Sequence, residues 1–120
     1  IMGLAWFQRF GHTPVAIVGG ATGMIGDPSG KSVERNLLNQ EAIEVNLRGI
    51  QRSLEAVLKS DVKILNNYDW FSSIGFIDFL RDVGKHFRLS TMLAKDSVKS
   101  RLASEEGISF TEFSYQLLQA

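Results

Sequence analysis

The sequence lacks cysteine, net charge and any long apolar run. Without cysteine, disulfides and thiolate metal sites are excluded. Thirteen Lys and Arg balance thirteen Asp and Glu, so no overall basic field would attract DNA, RNA or an anionic membrane. The apolar runs are far shorter than the roughly 20 residues that cross a bilayer. The two histidines, His12 and His86, have no partner at metal-ligand spacing, which argues against a protein-bound metal.

The length suits one domain or a large part of one, since 44% of the 120 residues are hydrophobic. The first residues lack the charged start and cleavage site of a signal peptide. The chain starts at Ile1 rather than at a methionine and ends at Ala120 inside an apolar, helix-like pattern. We therefore expect an internal segment of a longer protein. The absence of cysteine fits a reducing compartment.

Two short apolar runs predict strands. Val15–Val18 lies between a proline and a glycine, and its continuous apolar character predicts a strand covered on both faces, as in a parallel sheet. Residues 62–65 predict a second strand. Residues 1–10 predict the end of a mostly buried helix that stops at Gly11, and residues 19–39 read as a loop.

Apolar periodicity predicts the helices. The first covers residues 40–59, with apolar positions at Ile43, Leu47, Ile50, Leu54, Val57 and Leu58.

Later helices are predicted from caps as well as periodicity. One begins at Ser72 or Ser73 and ends at Gly84. Another covers residues 91–103, with Met92, Val98 and Leu102 on its buried side. A capping box of Ser109 and Glu112 opens a last helix. The order of elements predicts an α/β layered fold with a partly parallel sheet.

The glycine-rich stretch GGATGMIGDPSGKS, residues 19–32, resembles a phosphate loop but fits neither standard pattern. A Walker A loop would need glycine at Ile25, and Pro28 removes an amide donor from the wrap. The glycines at 20, 23 and 26 are spaced by threes, unlike the dinucleotide fingerprint. Asp27 follows the strand's carboxyl end, where a carboxylate attracts an ammonium group. Lys31 and Arg35, one helical turn apart, could face an anion.

Each of these residues also has a structural interpretation. Asp27 could form an Asx turn or a cap before Pro28. Lys31 and Arg35 could be solvated surface cations. Spacing alone leaves both interpretations open.

Five motifs carry a family resemblance that covers nearly the whole chain. They are GGATGMIGDPSGKSVER, NNYDW, FLRDVGKHF, AKDSVKSR and GISFTEFSYQLLQA. In this order they closely resemble the catalytic domain of tyrosyl-tRNA synthetases of the bacterial and organellar type. The resemblance implies a class I synthetase with a Rossmann-type nucleotide-binding fold and a largely helical insertion. Such an enzyme activates tyrosine with ATP and transfers it to tRNA(Tyr), which makes the chain one part of a catalytic domain.

The resemblance also assigns the tyrosine site. It implies that Asp27, Tyr115 and Gln119 hold the α-ammonium group of the substrate. Tyr115 and Gln119 are four residues apart on a predicted helix, so they would share one face. Their alternatives are a half-buried amphipathic tyrosine and a surface glutamine. Thr22 and Asn67 are implied as supporting pocket residues, with turn chemistry as the alternative.

The same resemblance places Lys31 and Arg35 near the departing pyrophosphate. Attack of a carboxylate on the α-phosphate needs no covalent enzyme intermediate, so catalysis would rest on orientation and on charge stabilisation. ATP is then a substrate, with Mg²⁺ carried on the nucleotide. Trp70 and Tyr68 are expected to pack.

Assembly is a further implication. The family forms homodimers through its helical insertion, and Phe110 lies in the matching region. Phe76, Phe79 and Phe87 could add to that surface or belong to an ordinary core. The family's His-Ile-Gly-His-type motif is expected before residue 1, and its Lys-Met-Ser-Lys-Ser-type loop and anticodon-binding module beyond residue 120. The expected location is the bacterial cytoplasm, or an organellar matrix or stroma.

Two alternatives remain at this point. The segment could belong to another ATP- or nucleotide-using α/β enzyme that shares a glycine loop. It could also be a noncatalytic structural or dimerisation segment. The sequence on either side of the chain would separate these alternatives from a synthetase.

Overall fold

A small parallel sheet with helices around it forms the fold in the computed structural model, which describes residues 1–27, 38–59 and 62–118. The elements in chain order are α1 (Met2–Arg9), β1 (Val15–Val18), α2 (Gly20–Ile25), α3 (Gln40–Val57), β2 (Lys63–Asn66), α4 (Tyr68–Phe71), α5 (Phe76–Asp82), a 3₁₀ turn (Gly84–His86), α6 (Leu89–Leu93), α7 (Asp96–Leu102), α8 (Phe110–Ser114) and a second 3₁₀ turn (Tyr115–Leu118).

Strands β1 and β2 pair in parallel, with Val15 opposite Lys63 and Val18 opposite Asn66. The predicted parallel arrangement is confirmed. The prediction that β1 is covered on both faces is wrong, because burial alternates along the strand. Ala16 and Val18 point into the core, whereas Ile17 on the other face is 54% exposed. In the described part of the chain, helix packing covers one face of the sheet and leaves the other open.

The core lies between the covered sheet face and α3. Its buried members are Ala16, Val18, Leu54 and Leu58, with Leu4, Ala5, Leu47, Val62 and Ile64 packed around them. Helix α3 forms where it was predicted, and the Asn39 side chain caps it by accepting a hydrogen bond from the Ala42 amide at 2.8 Å. Ile50 and Val57, predicted on the buried side, are 48% and 45% exposed because they lie at one edge of the apolar stripe.

Helix α1 is mostly exposed, which corrects the prediction that it is mostly buried. Trp6, Phe7 and Phe10 are each more than half exposed, while Gln8 is buried. The Gln8 amide oxygen accepts from the Lys59 amide at 2.8 Å, and Gln8 Nε2 donates to the Lys59 carbonyl oxygen at 3.4 Å, so polar contacts hold α1 against the end of α3. The helix stops at Gly11, as predicted, with φ at 84°.

The predicted loop over residues 19–39 is partly helical. Residues 20–25 form α2, which ends at Gly26 with φ at 87°. A side chain would be strained at that φ, so glycine is required there. Residues 28–37 lie outside the described residues.

Helices in the second half of the chain are shorter than predicted. The helix expected from Ser72 or Ser73 begins later, as α5, and Gly75 rather than a serine precedes it. The short helix α4 lies before the predicted start. The expected helix over residues 91–103 is divided into α6 and α7. Met92 and Val98 are buried, as predicted, but Leu102, the last residue of α7, is 50% exposed.

Ser109 caps α8, as the capping box predicted, by accepting from the Glu112 amide at 3.1 Å. The predicted continuous last helix is wrong, because the backbone tightens into a 3₁₀ turn at Tyr115. Among the residues described, we find no helix with the length and apolar character needed to cross a membrane.

Candidate functional site

A depression lies where the two strands end. It measures about 390 Å³ and is lined by Ile17, Gly19, Thr22, Asn67, Trp70, Tyr115 and Leu118. We call it the strand-end depression. The carboxyl edge of a parallel sheet is where α/β folds bind ligands, and the volume suits a small molecule.

Three of the predicted site residues meet in this depression. Thr22 comes from α2, Asn67 follows β2, and Tyr115 comes from the last 3₁₀ turn, more than 40 residues further along the chain. A larger depression of about 510 Å³ lies elsewhere. The described residues that line it include none of the predicted site residues; they are Gln51, Glu55, Leu58, Lys59, Val62 and Ile64. The strand-end depression is therefore the candidate site.

Asn67 is buried, and its side-chain amide forms hydrogen bonds with α2. Its Oδ1 accepts from the Ala21 amide at 2.7 Å, and its Nδ2 donates to Thr22 Oγ1 at 3.2 Å. Since the Thr22 oxygen accepts this bond, the hydroxyl proton of Thr22 is left for donation. Asn67 thus lines the depression and also bonds the start of α2, and its role toward a substrate stays a prediction.

Asn66 makes similar hydrogen bonds to backbone amides, which the sequence did not predict. Its Oδ1 accepts from the amides of Gly20 and Tyr68, both at 3.1 Å. The amides of Gly20 and Ala21, at the start of α2, are therefore occupied by asparagine oxygens rather than open to a phosphate. This agrees with the failure of the glycine stretch to match a phosphate loop. Two asparagines directly after a predicted strand were the available signal.

Close approach, rather than positive φ, explains the first glycines. A Cβ at Gly20 would lie 2.9 Å from Asn66 Cγ, and one at Gly19 would overlap Thr22 Oγ1. Gly19 itself has a negative φ of −87°. The glycines let α2 lie against the two asparagine side chains.

Tyr115 lines the strand-end depression, and its contact with a substrate stays a prediction. The face that Tyr115 and Gln119 were predicted to share requires an α-helix, whereas residues 115–118 form a 3₁₀ turn with about three residues per turn. Gln119 lies outside the described residues. The predicted face therefore has no α-helical basis at residues 115–118, and the role of Gln119 stays a prediction.

Of the other predicted residues that the structure describes, Asp27 and Phe110 do not line the depression. Asp27 follows Gly26 and is half-buried. Lys31 and Arg35 lie outside the described residues. Phe110, in the first turn of α8, is 68% exposed.

A buried ion pair supports the segment that carries Tyr115. Arg101 of α7 donates from Nε and Nη2 to the two carboxylate oxygens of Glu112 at 2.9 and 3.0 Å. Both side chains are about 2–3% exposed, so the pair fixes α8 against α7. The sequence analysis missed Arg101, because the spacing of 11 residues between the two carries no local signal. It had placed Glu112 only in a capping box.

Gln116, next to Tyr115, is also buried. Within the described part of the chain, its amide oxygen and nitrogen have no hydrogen-bond partner. The described residues also contain no group of three or more His, Cys, Asp or Glu side chains placed to hold a metal ion.

Known proteins resemble this chain over its whole length. Tyrosine–tRNA ligases of Protochlamydia amoebophila and Cytophaga hutchinsonii are 70% and 58% identical to it over 99% of the chain. The chain spans about 29% of the length of these curated relatives.

Solved structures show the same likeness. A C-terminally truncated mitochondrial tyrosyl-tRNA synthetase of Aspergillus nidulans superimposes with a TM-score of 0.80 at 30% identity, over 98% of this chain and 37% of that one. The corresponding enzyme of Coccidioides posadasii superimposes with a TM-score of 0.72, also at 30% identity, over 98% of this chain and 35% of that one. These likenesses confirm the resemblance and the α/β fold class inferred from the motifs.

A family model described as tRNA synthetases class I (W and Y) matches residues 1–120. The chain therefore belongs to the class I tRNA synthetases of the W and Y family.

Proposed function

We propose that the full-length gene product carrying this chain is a tyrosine–tRNA ligase. It would join tyrosine to ATP, giving tyrosyl-adenylate and pyrophosphate, and then transfer tyrosine to tRNA(Tyr). The observation that carries this proposal is the 70% identity, over 99% of the chain, to a relative with that name. The strand-end depression adds support, since Thr22, Asn67 and Tyr115 line it.

Tyrosine would bind in the strand-end depression. Thr22 and Tyr115 offer hydroxyl groups there, and Asn67 holds the Thr22 hydroxyl in place. Asp27 follows the end of α2 and does not itself line the depression; the family resemblance supports the proposal that its carboxylate pairs with the α-ammonium, together with Tyr115 and Gln119. A charged acceptor bonds an ammonium about twice as strongly as a neutral one.

The adenylation step would depend on orientation and charge. An oxygen of the tyrosine carboxylate attacks the α-phosphorus of ATP, and the bond from that phosphorus to the bridging oxygen of the pyrophosphate breaks. Negative charge grows on the leaving pyrophosphate, where Lys31 and Arg35 would stabilise it. ATP would bring Mg²⁺ with it as a nucleotide-bound ion. The chain would form one part of a catalytic domain, with the rest of the ATP site and the anticodon module elsewhere in the gene product.

A homodimer is part of the proposal. Apolar side chains that a partner subunit could cover stand exposed on α5 and α8: Phe76 is 65%, Ile77 71% and Phe110 68% exposed. The relatives named above are bacterial or mitochondrial, which supports a location in the bacterial cytoplasm or an organellar matrix.

Pyrophosphate exchange tests the proposed function. The full-length gene product should exchange labelled pyrophosphate into ATP when tyrosine is present, and should charge tRNA(Tyr). Tryptophan is the essential comparison, because the family model covers both W and Y enzymes. Exchange driven by tryptophan, or by another amino acid in place of tyrosine, would overturn the assignment. Absence of any exchange would favour a noncatalytic segment.

A further inference from the structure

One oxygen atom joins the starts of two helices at the carboxyl end of β2. Asn66 is the last residue of β2, and its Oδ1 accepts from the Gly20 amide and from the Tyr68 amide, both at 3.1 Å. Gly20 is the first residue of α2, and Tyr68 is the first residue of α4. The contact to Gly20 joins residues 46 positions apart in the sequence.

Both helices bring side chains to the strand-end depression. Thr22 of α2 and Trp70 of α4 are among its lining residues. Asn66 does not line it, so its influence on a ligand there must pass through the backbone of the two helices. Each helix is short, with six residues in α2 and four in α4, so its first amide determines much of its position.

The side chain of Asn66 packs closely against the start of α2. A Cβ at Gly20 would lie 2.9 Å from both Cγ and Nδ2 of Asn66, which no real side chain tolerates without a shift. Neighbouring Asn67 holds the next amide of α2, at Ala21, by the same kind of bond. Its amide also reaches Thr22 Oγ1 and lines the depression, whereas Asn66 contacts only backbone amides in the contacts described above.

We propose that Asn66 is a positioning residue that sets the separation of Thr22 and Trp70 across the strand-end depression. This inference rests on the proposed function where it names tyrosine as the ligand. The acceptor oxygen is the group that matters, because both bonds end on Oδ1. A side chain that keeps an oxygen there should keep the geometry, and one that lacks it should not.

Two variants of the full-length gene product test this role. Asn66→Ala removes the acceptor, and the Michaelis constant for tyrosine in pyrophosphate exchange should rise on the order of tenfold, since small misplacements of binding groups are costly. Asn66→Asp keeps an oxygen in the same place, and its Michaelis constant should stay close to that of the wild type. Asn46→Ala, on the exposed surface of α3, is the matched control and should change nothing.

A purely structural role predicts a different result. If Asn66 only stabilised the fold, Asn66→Ala would lower the folded, active fraction and leave the Michaelis constant of that fraction unchanged. That outcome would overturn the proposal. So would an Asn66→Asp variant as impaired as Asn66→Ala, because the oxygen would then not be the essential group.

Amide hydrogen exchange tests the contact without any substrate. The amides of Gly20 and Tyr68 should lose protection in Asn66→Ala and keep it in Asn66→Asp. Unchanged protection in Asn66→Ala would disprove the contact. If the wild type shows no tyrosine-dependent exchange of pyrophosphate, the proposed function fails, while the hydrogen-exchange result still decides whether Asn66 holds the two helices.

Discussion

At the scale of single residues, substitutions in the buried pair of Arg101 and Glu112 should strongly reduce local stability. Each side chain is 2–3% exposed, so removing one partner leaves the other charge buried and unpaired. We expect Arg101→Met or Glu112→Leu alone to lower the opening free energy of α7 and α8 by about 3–5 kcal/mol. The opening free energy should fall less in the double variant than in either single variant, because no unpaired charge then remains buried.

Native-state hydrogen exchange of peptides from α7 and α8, in the full-length gene product, measures these opening free energies. The exposed pair of Arg48 and Glu44, at 3.6 Å, offers a matched control. Arg48→Met should cost at most about 1 kcal/mol, since solvent screens exposed pairs. Additive losses in the Arg101 and Glu112 double variant would show that the two charges do not depend on each other.

Substitution of Gln116 should raise local stability, because its buried amide has no hydrogen-bond partner within the described residues. Gln116→Met keeps the approximate volume and removes both polar atoms. The opening free energy of the 115–118 turn should rise by about 1–3 kcal/mol, the cost of burying an unsatisfied polar group. Gln51→Met, on the exposed face of α3, is the control and should stay within about 0.5 kcal/mol of the wild type. A loss of stability in Gln116→Met would mean that another part of the gene product satisfies this amide.

Substitutions of Asp27 and Lys31 should separate the binding of tyrosine from the adenylation step of the proposed reaction. Asp27→Asn removes the charge but keeps the shape, and so should raise the Michaelis constant for tyrosine with a smaller effect on turnover. Lys31→Ala should instead lower turnover, on the order of 100-fold, because a cation at the leaving pyrophosphate acts in the transition state. Steady-state pyrophosphate exchange measures both. If Asp27→Asn mainly lowered turnover and Lys31→Ala mainly raised the Michaelis constant, the two assigned roles would be wrong. An unaltered tyrosine affinity in Asp27→Asn would favour the alternative in which Asp27 only caps a turn or helix.

At the scale of elements, side-chain caps determine where α3 and α8 begin. Asn39 accepts from the Ala42 amide at 2.8 Å, and Ser109 accepts from the Glu112 amide at 3.1 Å. We expect Asn39→Ala and Ser109→Ala each to cost about 1 kcal/mol of local stability, seen as faster hydrogen exchange in the first turn of the affected helix. Asn39→Asp and Ser109→Asp keep an acceptor and should restore protection. Equal exchange in the alanine and aspartate variants would contradict a capping role.

Local signals predicted the elements that have clear ends. Strand β1 matches its prediction residue for residue, because Pro14 and Gly19 bound a short apolar run. The expected helix over 91–103 failed because Asp96 starts a new helix, where a carboxylate in the first turn favours the N-terminal end of the dipole. Periodicity alone does not reveal such a break.

The site was predictable in part for the same reason. Family motifs pointed to Thr22, Asn67 and Tyr115, and the fold brings all three to one depression. The contacts of Asn66 with Gly20 and of Arg101 with Glu112 were missed, because they depend on how distant segments pack. The 3₁₀ turn was missed as well, since its sequence is equally compatible with an α-helix.

At the scale of the whole molecule, one face of the sheet is open. Ile17 and Leu65 lie side by side on it, 54% and 44% exposed, although both belong to a parallel sheet, which proteins normally cover on both faces. The curated relatives are more than three times as long as this chain, which spans about 29% of them. We therefore expect other parts of the full-length gene product to cover this face.

Leu65→Thr distinguishes a covered face from an open one, because its effect should change sign with context. In residues 1–120 expressed alone, the substitution removes exposed apolar surface and should reduce aggregation and the binding of a hydrophobic dye. In the full-length gene product it removes a buried side chain, and we expect a loss of about 2 kcal/mol or more in the opening free energy of β2, measured by hydrogen exchange. A full-length gene product that tolerates Leu65→Thr without loss of stability would show that this face of the sheet stays open there too.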